Sequence, residues 1–249
     1  MLEFRFADAR IWRYMIASIE KILDESVFVA TGEGLALRAL DTSHVVMVDL
    51  FYPRDAFSEF NLDSDEASFG VSFGMLSKVL RRARKDDALE VKVDGSFIEI
   101  GFIGRGVRRF RIPQISLTLE KLPEPKISYT VEARMLSTTF RDAIKDIEPI
   151  ADVVSFQALD DQDTLILRGR GDIASGEAEF SLSKGSLIDY RVESPDTSSY
   201  TLEYFTYMTQ AAQAADIVSL RYSSDAPVRV DIEYQDGGRL TFYVSPRID

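Results

Sequence analysis

The feature that most constrains the fold of this 249-residue chain is an internal repeat. Each half ends in three short runs of alternating apolar and polar residues, separated by turn residues and closed by a proline, which cannot continue a strand ladder. These runs are 86–93, 97–100 and 106–113 in the first half, and 215–222, 228–232 and 238–246 in the second. Alternation with a period of two predicts three consecutive strands at the end of each half.

The beginnings of the two halves correspond as well. A strand (2–6 or 127–131) is followed by an amphipathic helix, and a pair of strands then turns at 32–34 or 160–163. The predicted pairs are 26–31 with 35–39 and 153–158 with 164–169. Strands outnumber helices, so the helices must cover one face of an antiparallel sheet. We expect an α+β protein of two similar domains, each with antiparallel sheets covered by two helices.

Prolines mark the boundary between the halves. Pro113, Pro123 and Pro125 bracket a segment that should be stiff and extended. We therefore predict a first domain at 1–113, a connecting loop at 114–126 and a second domain at 127–249. Such an exposed loop is either a plain spacer or a carrier of function, and the sequence leaves both open.

Composition excludes several classes of protein. The chain has no cysteine, so disulfides, zinc–thiolate sites and cysteine nucleophiles are excluded. It shows no apolar run long enough for a membrane helix and no signal-peptide layout, so we expect a cytoplasmic protein without a membrane partner. The net charge of −12 argues against a nucleic-acid partner unless the cations are segregated on one face.

Helical periodicity segregates the cations in three of four predicted helices. After a capping Asp8, the predicted inward residues are Ile11, Met15, Ile19, Ile22 and Leu23, then Met75, Leu76, Val79, Leu80 and Ala83, then Leu136, Phe140, Ala143, Ile144 and Ile147. The predicted outward residues are Arg10, Arg13, Tyr14, Ala17 and Lys21, then Ser77, Lys78, Arg81, Arg84 and Lys85, then Arg134, Thr138, Arg141 and Lys145. The fourth helix, 204–214, exposes Thr206, Gln210 and Gln213 and has no cation. Cationic helix faces are often simply solvated, although three equivalent stripes weaken that interpretation.

Two segments carry a family resemblance that extends over the whole chain. The segment 37–50, with the core Ala39-Leu40-Asp41-Thr42-Ser43-His44-Val45, and the closing strand and tail 238–249 resemble the sliding clamps of archaea and eukaryotes, the proliferating cell nuclear antigen family. Residues 69–71 and 198–200 also fit. The resemblance implies a three-subunit ring, of identical or related chains, in which helices line a hole and sheets lie outside. It implies non-sequence-specific contacts to duplex DNA from Arg10, Arg13, Lys21, Lys78, Arg81, Arg84, Arg141 and Lys145.

The resemblance implies two protein interfaces. A pocket beneath the connecting loop would bind short peptides of partner proteins through Leu40, His44, Leu117, Leu119, Pro227, Tyr243, Pro246, Arg247 and Ile248. Subunits would join by strand pairing between 108–117 and 177–182, through Arg109, Phe110, Ile112, Ala178, Phe180 and Leu182.

The implied function is that of a DNA sliding clamp subunit, a processivity factor in replication and repair. It would encircle duplex DNA, dock polymerase, flap nuclease and ligase, and be placed on DNA by a clamp loader. We expect it near the nucleoid in the cytoplasm, or in the nucleus of a eukaryote. The alternative is a specialised or checkpoint-type subunit that acts as an interaction protein within a heteromeric ring.

Other chemical signals in the sequence are weak. His44, the only histidine, lies near Asp41 and Ser43, but adjacency in a loop does not supply catalytic geometry. The acidic turns 63–66 and 160–163 lack the glycine and terminal glutamate of a calcium loop. The glycine-rich 101–106 lies between strands and not before a helix, so it is no phosphate loop. We expect no enzyme activity, no catalytic residue, no metal and no cofactor.

Overall fold

The computed structural model describes residues 1–224 and 226–247. Its first half consists of β1 Leu2–Phe6, α1 Ala9–Ile19, β2 Glu25–Thr31, β3 Gly34–Leu40, β4 Val46–Pro53, β5 Glu59–Leu62, β6 Glu66–Ser72, α2 Phe73–Leu80, β7 Ala88–Asp94, β8 Phe97–Ile103 and β9 Val107–Pro113. Its second half consists of β10 Val131–Leu136, α3 Ser137–Ile147, β11 Val153–Ala158, β12 Thr164–Arg170, β13 Ser175–Ser181, β14 Asp189–Val192, β15 Asp196–Thr201, α4 Leu202–Ala211, β16 Ile217–Tyr222, β17 Val228–Glu233 and β18 Arg239–Val244. Short 3₁₀ turns lie at Arg54–Ala56 and Ala212–Ala214.

The strands form three antiparallel sheets. The first has the order β5-β1-β7-β8-β9, the second β13-β12-β11-β15, and the third β14-β10-β16-β17-β18-β4-β3-β2-β6. In each half one helix follows the first strand and the other follows the strand before the closing trio. The predicted α+β fold of two similar halves is confirmed.

The nine-stranded sheet joins the two halves. Strands β18 and β4 pair from Val244 opposite Val46 to Arg239 opposite Phe51. Beside this seam the ring of Tyr52 lies over Gly238, where a Cβ atom would overlap the ring. Backbone hydrogen bonds and a shared core therefore fix one half against the other, a connection that the repeat pattern did not predict.

The four helices form one layer on the sheets. Helix α1 contacts both α2 and α4, and α3 contacts α4. Helix α2 also contacts β9, and α3 contacts β13, so these two edge strands lie at opposite ends of the helix layer. The predicted cap is present, because the Asp8 side chain accepts a hydrogen bond of 2.9 Å from the Arg10 backbone N–H. In the described parts of the chain no helix is long and apolar enough to cross a bilayer.

The structure corrects the prediction around the second repeat's first strand. That strand was predicted at 127–131, but β10 runs from Val131 to Leu136 and pairs with β16. Residues Val131, Ala133 and Met135 are buried and their neighbours are exposed. The period of two therefore continues through residues assigned to the third helix. Arg134 lies on this strand and Leu136 is exposed at its end, so neither belongs to the predicted helix faces.

The second helix is rotated from its predicted orientation. Met75, predicted to face the core, is exposed, whereas Ser77, predicted to face solvent, is buried. The helix begins at Phe73, whose ring is fully buried. Phe73, Leu76 and Leu80 follow the i, i+3, i+7 spacing of a buried stripe, and Ser77 lies on the same face.

Candidate nucleic-acid and peptide interfaces

The eight cations predicted to contact DNA lie on the helix layer and its adjoining loops. Three positions differ from the prediction, because α1 ends at Ile19 and α2 at Leu80. Lys21 and Arg84 thus lie in loops, and Arg81 caps α2. Five of the eight are exposed: Lys21, Lys78, Arg81, Arg84 and Lys145. The other three, Arg10, Arg13 and Arg141, are half-buried.

Two of these cations are already paired with carboxylates. Arg10 and Asp8 form an ion pair of 2.7 Å, and Arg81 lies 3.1 Å from Glu20. The hydrogen bond from the Arg10 side chain is the main reason that the pKa of Asp8 is lowered. The same pairing raises the pKa of Arg10. A paired arginine presents less net charge to a phosphate than a free one.

Lys78 and Lys145 are the clearest free charges on this layer. Both are exposed, and neither has a carboxylate within 4 Å among the described residues. Lys78 is on α2 and Lys145 is on α3, so they lie on either side of the central helices.

Helix α4 differs from the other three. Its only charged side chain is Glu203, which accepts a hydrogen bond from the Tyr207 hydroxyl. Burial, together with this hydrogen bond, raises the pKa of Tyr207 to about 12, so the phenol stays neutral at physiological pH. The predicted lack of cations on this helix is confirmed, but the helix begins before the predicted residue 204 and so also presents the exposed carboxylate of Glu203.

The predicted peptide-pocket residues of the two halves meet at one end of the nine-stranded sheet. Leu40 ends β3, Tyr243 lies near the end of β18 opposite Met47, and Pro227 precedes β17. The backbone N–H of Ser245 donates a 2.9 Å hydrogen bond to the Val45 carbonyl, so the tail that follows β18 lies beside the β3–β4 loop. Antiparallel neighbours bring these strand ends together although they are about 200 residues apart in sequence.

Individual members of the predicted pocket differ in accessibility. Leu40, Pro227 and Pro246 are half-buried, and His44 and Arg247 are exposed. Tyr243 is only 4% exposed, so it forms the floor of this region and not an open contact surface. Ile248 lies outside the described residues.

The connecting loop is tied down at its beginning. Ile115 forms a bridge to Gly70 of β6, in which its N–H donates a 3.0 Å hydrogen bond to the Gly70 carbonyl. A Cβ atom at Gly70 would overlap the Ile115 carbonyl oxygen, so glycine permits this approach. Leu117 and Leu119 follow, half-buried, and line a groove of about 180 Å³ together with Leu40.

Two arginines hold the later part of the loop, and the sequence did not single them out. Arg38 donates a 3.2 Å hydrogen bond to the Leu122 carbonyl and forms a 2.6 Å ion pair with Asp49. Arg229 lies 3.5 Å from Glu124 and 5.5 Å from the centre of the Tyr243 ring. The only sequence signal was a charged residue in the alternation of each strand; its partners become visible only when the strands are paired.

A buried carboxylate organises the charges beneath the loop. The side chain of Asp231 is 2% exposed and makes ion pairs of 2.7 Å with Arg221 and 2.9 Å with Arg229. The Thr241 hydroxyl donates to it at 2.6 Å. A buried charge of this kind is stable only because it is paired and hydrogen-bonded.

The two strands predicted to join subunits are both sheet edges. Strand β9 pairs only with β8, and β13 only with β12, among the described residues. Of the six predicted contact residues, Arg109 and Leu182 are exposed, Phe110 and Ala178 are half-buried, and Ile112 and Phe180 are buried. Leu182 lies just beyond the end of β13.

The β3–β4 loop has structural chemistry of its own. Asp41 accepts hydrogen bonds from the backbone N–H groups of Val45 and Val46 at 2.8 and 2.6 Å and also from Ser43. Burial would raise the pKa of Asp41, but these hydrogen bonds outweigh it and lower the pKa. His44 is exposed, with a positive φ of 59°. In the described ranges no three His, Asp or Glu side chains are grouped as metal ligands.

Comparison with known proteins agrees with this architecture. The family models for the N-terminal and C-terminal domains of proliferating cell nuclear antigen match residues 1–123 and 122–247. The chain is 59% identical over 246 residues to DNA polymerase sliding clamp 3 of Aeropyrum pernix, covering 99% of this chain and 98% of the relative. It is 38% identical over 250 residues to the DNA polymerase sliding clamp of Thermofilum pendens, with both chains fully covered.

Solved structures lead to the same family. The crystal structure of PCNA from Thermococcus kodakaraensis superposes with a TM-score of 0.91 at 28% identity, covering 99% of this chain and all of that one. A chain of the PCNA2–PCNA3 complex from Sulfolobus tokodaii gives a TM-score of 0.92 at 28% identity, with coverage of 98% and 99%. This chain belongs to the proliferating cell nuclear antigen family, the family of the DNA polymerase sliding clamps.

Proposed function

We propose that three chains of this kind join edge to edge into a ring that encircles duplex DNA and tethers DNA-processing enzymes to it. One observation carries this proposal: two edge strands that are unpaired among the described residues flank a single layer of helices, and this layer with its adjoining loops carries the eight predicted DNA-contacting cations in a chain of net charge −12. Closure of the ring would pair the free backbone hydrogen-bonding groups of both edge strands. It would also turn each helix layer toward a shared channel.

The two edges are chemically complementary. On β9 the exposed Arg109 and Arg111 alternate with the apolar Phe110 and Ile112. On β13 the exposed Glu177 and Glu179 alternate with Ala178 and Phe180. When these strands pair, arginines can face glutamates on one side while apolar residues meet on the other.

Charges within each edge sheet extend this pattern. Arg109 lies 3.4 Å from Glu99 on the neighbouring strand, and Glu177 lies 2.6 Å from Arg168. A joint between β9 and β13 would thus continue an alternating ladder of acids and bases across the subunit boundary. Like charges would not face each other there.

The channel chemistry suits a ring that moves along DNA. Lys and Arg contacts to phosphates are independent of sequence, and exposed side chains can exchange one phosphate for the next. The eight cations from Arg10 to Lys145 are the proposed contacts; the free Lys78 and Lys145 contribute most, and Arg10 contributes least because its charge is offset by Asp8. No base-reading role is assigned to them.

The groove under the connecting loop is the proposed docking site for partner peptides. Leu40, Leu117 and Leu119 supply apolar surface at one end of the sheet, and exposed backbone of the loop and tail can pair with an extended peptide. The partners are a DNA polymerase, a flap nuclease and a ligase, with a clamp loader that places the ring. The chain itself catalyses no reaction and works at the nucleoid.

Retention on closed DNA tests the ring. The loaded protein should remain on a nicked circular plasmid and dissociate after one double-strand cut, because a ring can leave only over an end. Leu182→Glu places a charge beside the proposed joint and should lower both ring mass and retention. The matched control is Leu136→Glu, since Leu136 is also exposed but ends β10, which pairs with β14 and β16 and not with β9 or β13. Equal retention on circular and cut DNA would refute encirclement.

A ring of related chains is the second candidate. It is favoured by helix α4, which lacks cations, and by the similarity of this chain to a clamp numbered 3 and to a chain from a complex of two different PCNA proteins. Mass measurement of the purified chain, alone and mixed with sister clamp chains, decides between them. A trimer formed by this chain alone supports the first candidate.

A further inference from the structure

A basic cavity lies beside the helix layer, next to the beginning of β9. It has a volume of about 450 Å³, is open to solvent, and is bounded by the loop after α2 and the hairpin between β8 and β9. Apart from Gly106 and Val107, every residue that lines it is charged. Four of these are cations: Arg84, Lys85, Arg105 and Arg108.

The base of the cavity is built around a buried carboxylate. Asp87 is 4% exposed; its side chain accepts a 2.6 Å hydrogen bond from the Arg84 backbone N–H and is ion-paired with Arg108. The hairpin packs directly on this group, because a Cβ atom at Gly104 would overlap the Asp87 carboxylate. The loop and the hairpin are therefore held together, and their cations are held near one another.

Arg108 is fixed by more than its ion pair. Its guanidinium donates a 2.8 Å hydrogen bond to the Arg82 carbonyl and lies 5.1 Å from the centre of the Phe102 ring. Arg13 likewise donates to the Ala83 carbonyl, at 3.5 Å. Carbonyl oxygens beyond the end of α2 would repel an anion, and these two guanidinium groups cover them.

The other three cations have no such partner. Arg84, Lys85 and Arg105 are exposed, and none has a carboxylate within 4 Å among the described residues. Asp86 and Asp87 offset part of the charge, but the cations still outnumber the acids in a chain whose net charge is −12. The cavity therefore carries a net positive charge, which favours an anion.

We propose that this cavity binds phosphate groups. Guanidinium and ammonium groups form strong charge-assisted hydrogen bonds with phosphate oxygens. The volume exceeds that of one phosphate, so two linked phosphates can be accommodated. The lining has no aromatic side chain on which a nucleobase could stack. The ligand is thus a diphosphate or two neighbouring phosphates of a nucleic-acid backbone.

This site extends beyond the proposed ring function. Only Arg84 belongs to the cations assigned above to the DNA channel, and Arg105 lies on a hairpin outside the helix layer. Phosphate binding by the cavity requires neither a closed ring nor a partner protein. Its failure is therefore distinguishable from a failure of ring formation.

Calorimetric titration of the full chain with inorganic pyrophosphate, at constant ionic strength set with chloride, tests the proposal. We expect saturable binding of one pyrophosphate per chain. The double variant Lys85→Gln/Arg105→Gln should bind about tenfold more weakly, because two charge-assisted contacts are lost. Arg54→Gln is the matched control, since Arg54 is exposed on a distant 3₁₀ turn, and it should bind normally. No saturable binding by the native chain, or equal binding by the double variant, overturns the proposal.

A second experiment distinguishes the two possible sources of the phosphate groups, a DNA backbone and a free diphosphate. The salt dependence of duplex DNA binding is measured for the native chain and for the same double variant. A shallower salt dependence in the variant assigns the site to the DNA backbone. An unchanged dependence together with lost pyrophosphate binding assigns it to a free diphosphate.

Discussion

The cations on the helix layer should differ in their importance for DNA binding according to whether they are free or paired. Lys78 and Lys145 are exposed and free, so the variant Lys78→Gln/Lys145→Gln removes two charges that are available to phosphates. The variant Asp8→Asn/Arg10→Gln removes an ion pair of 2.7 Å and leaves the net charge unchanged. Asparagine still caps the helix, so neither variant should alter the fold appreciably.

The expected magnitude follows from counterion release. Each lost phosphate contact makes the negative slope of log K against log salt shallower by about 0.9. The slope of the lysine variant should therefore be shallower by about 1.8 for each subunit in contact with DNA. Between about 50 and 200 mM salt, the DNA affinity of the lysine variant should therefore fall about tenfold less than that of the native chain. The ion-pair variant should keep the native slope, because Arg10 already compensates Asp8.

Fluorescence anisotropy with a labelled duplex, repeated over a series of salt concentrations, measures both slopes. Thermal unfolding of each variant serves as the control for folding. Equal slopes for the native chain and the lysine variant would show that these lysines do not contact phosphates. A loss of slope in the ion-pair variant as large as that in the lysine variant would refute the distinction between free and paired cations.

Three further predictions concern stability and the connecting loop. Asp231→Asn should destabilise the protein by about 3 kcal/mol in urea unfolding, because it leaves the largely buried Arg229 with only the exposed Glu124, at 3.5 Å, as a carboxylate partner; a loss below 1 kcal/mol, about the value of an exposed pair, would contradict this. The lowered pKa of Asp41 means that its ionised form stabilises the fold above the unfolded-state pKa of 3.8, and that this contribution is lost as pH falls through the folded-state value. Asp41→Asn should therefore show a shallower loss of stability between about pH 5 and pH 2 in acid unfolding monitored by circular dichroism; an unchanged acid limb would contradict this. Gly70→Ala should displace Ile115 and speed proteolysis of the connecting loop, whereas Gly74→Ala, where a Cβ atom meets no close neighbour, should leave cleavage unchanged.

Local sequence patterns were sufficient for most of the secondary structure. The closing strand trios, both strand pairs and the Asp8 cap of the first helix were predictable because alternation, turn residues and capping act over a few neighbours. The errors in predicted secondary structure occurred where the apolar residues fit both the helix period of 3.6 and the strand period of 2. Around 131–136 the apolar residues fit a helix and a strand almost equally, and pairing with β16 decided for the strand.

Local sequence patterns also failed to predict where helices α1 and α2 end. The cationic stripes continue past α1 and α2, but the helices stop at Ile19 and Leu80, and the tertiary contacts of the following loops place Lys21 and Arg84. The rotation of α2 depended on Phe73, whose burial is a property of the packed core and not of the helix itself. A short helix has too few apolar positions to define its own orientation.

The sequence alone determined the duplication, the α+β class and the absence of cysteine chemistry. The tertiary structure alone decided that β4 and β18 pair, that Arg38 and Arg229 hold the connecting loop, and that Arg105 meets Arg84 across a cavity. The reason is physical: periodicity is a local property of the chain, whereas ion pairs and cavities depend on the register between strands that are distant in sequence.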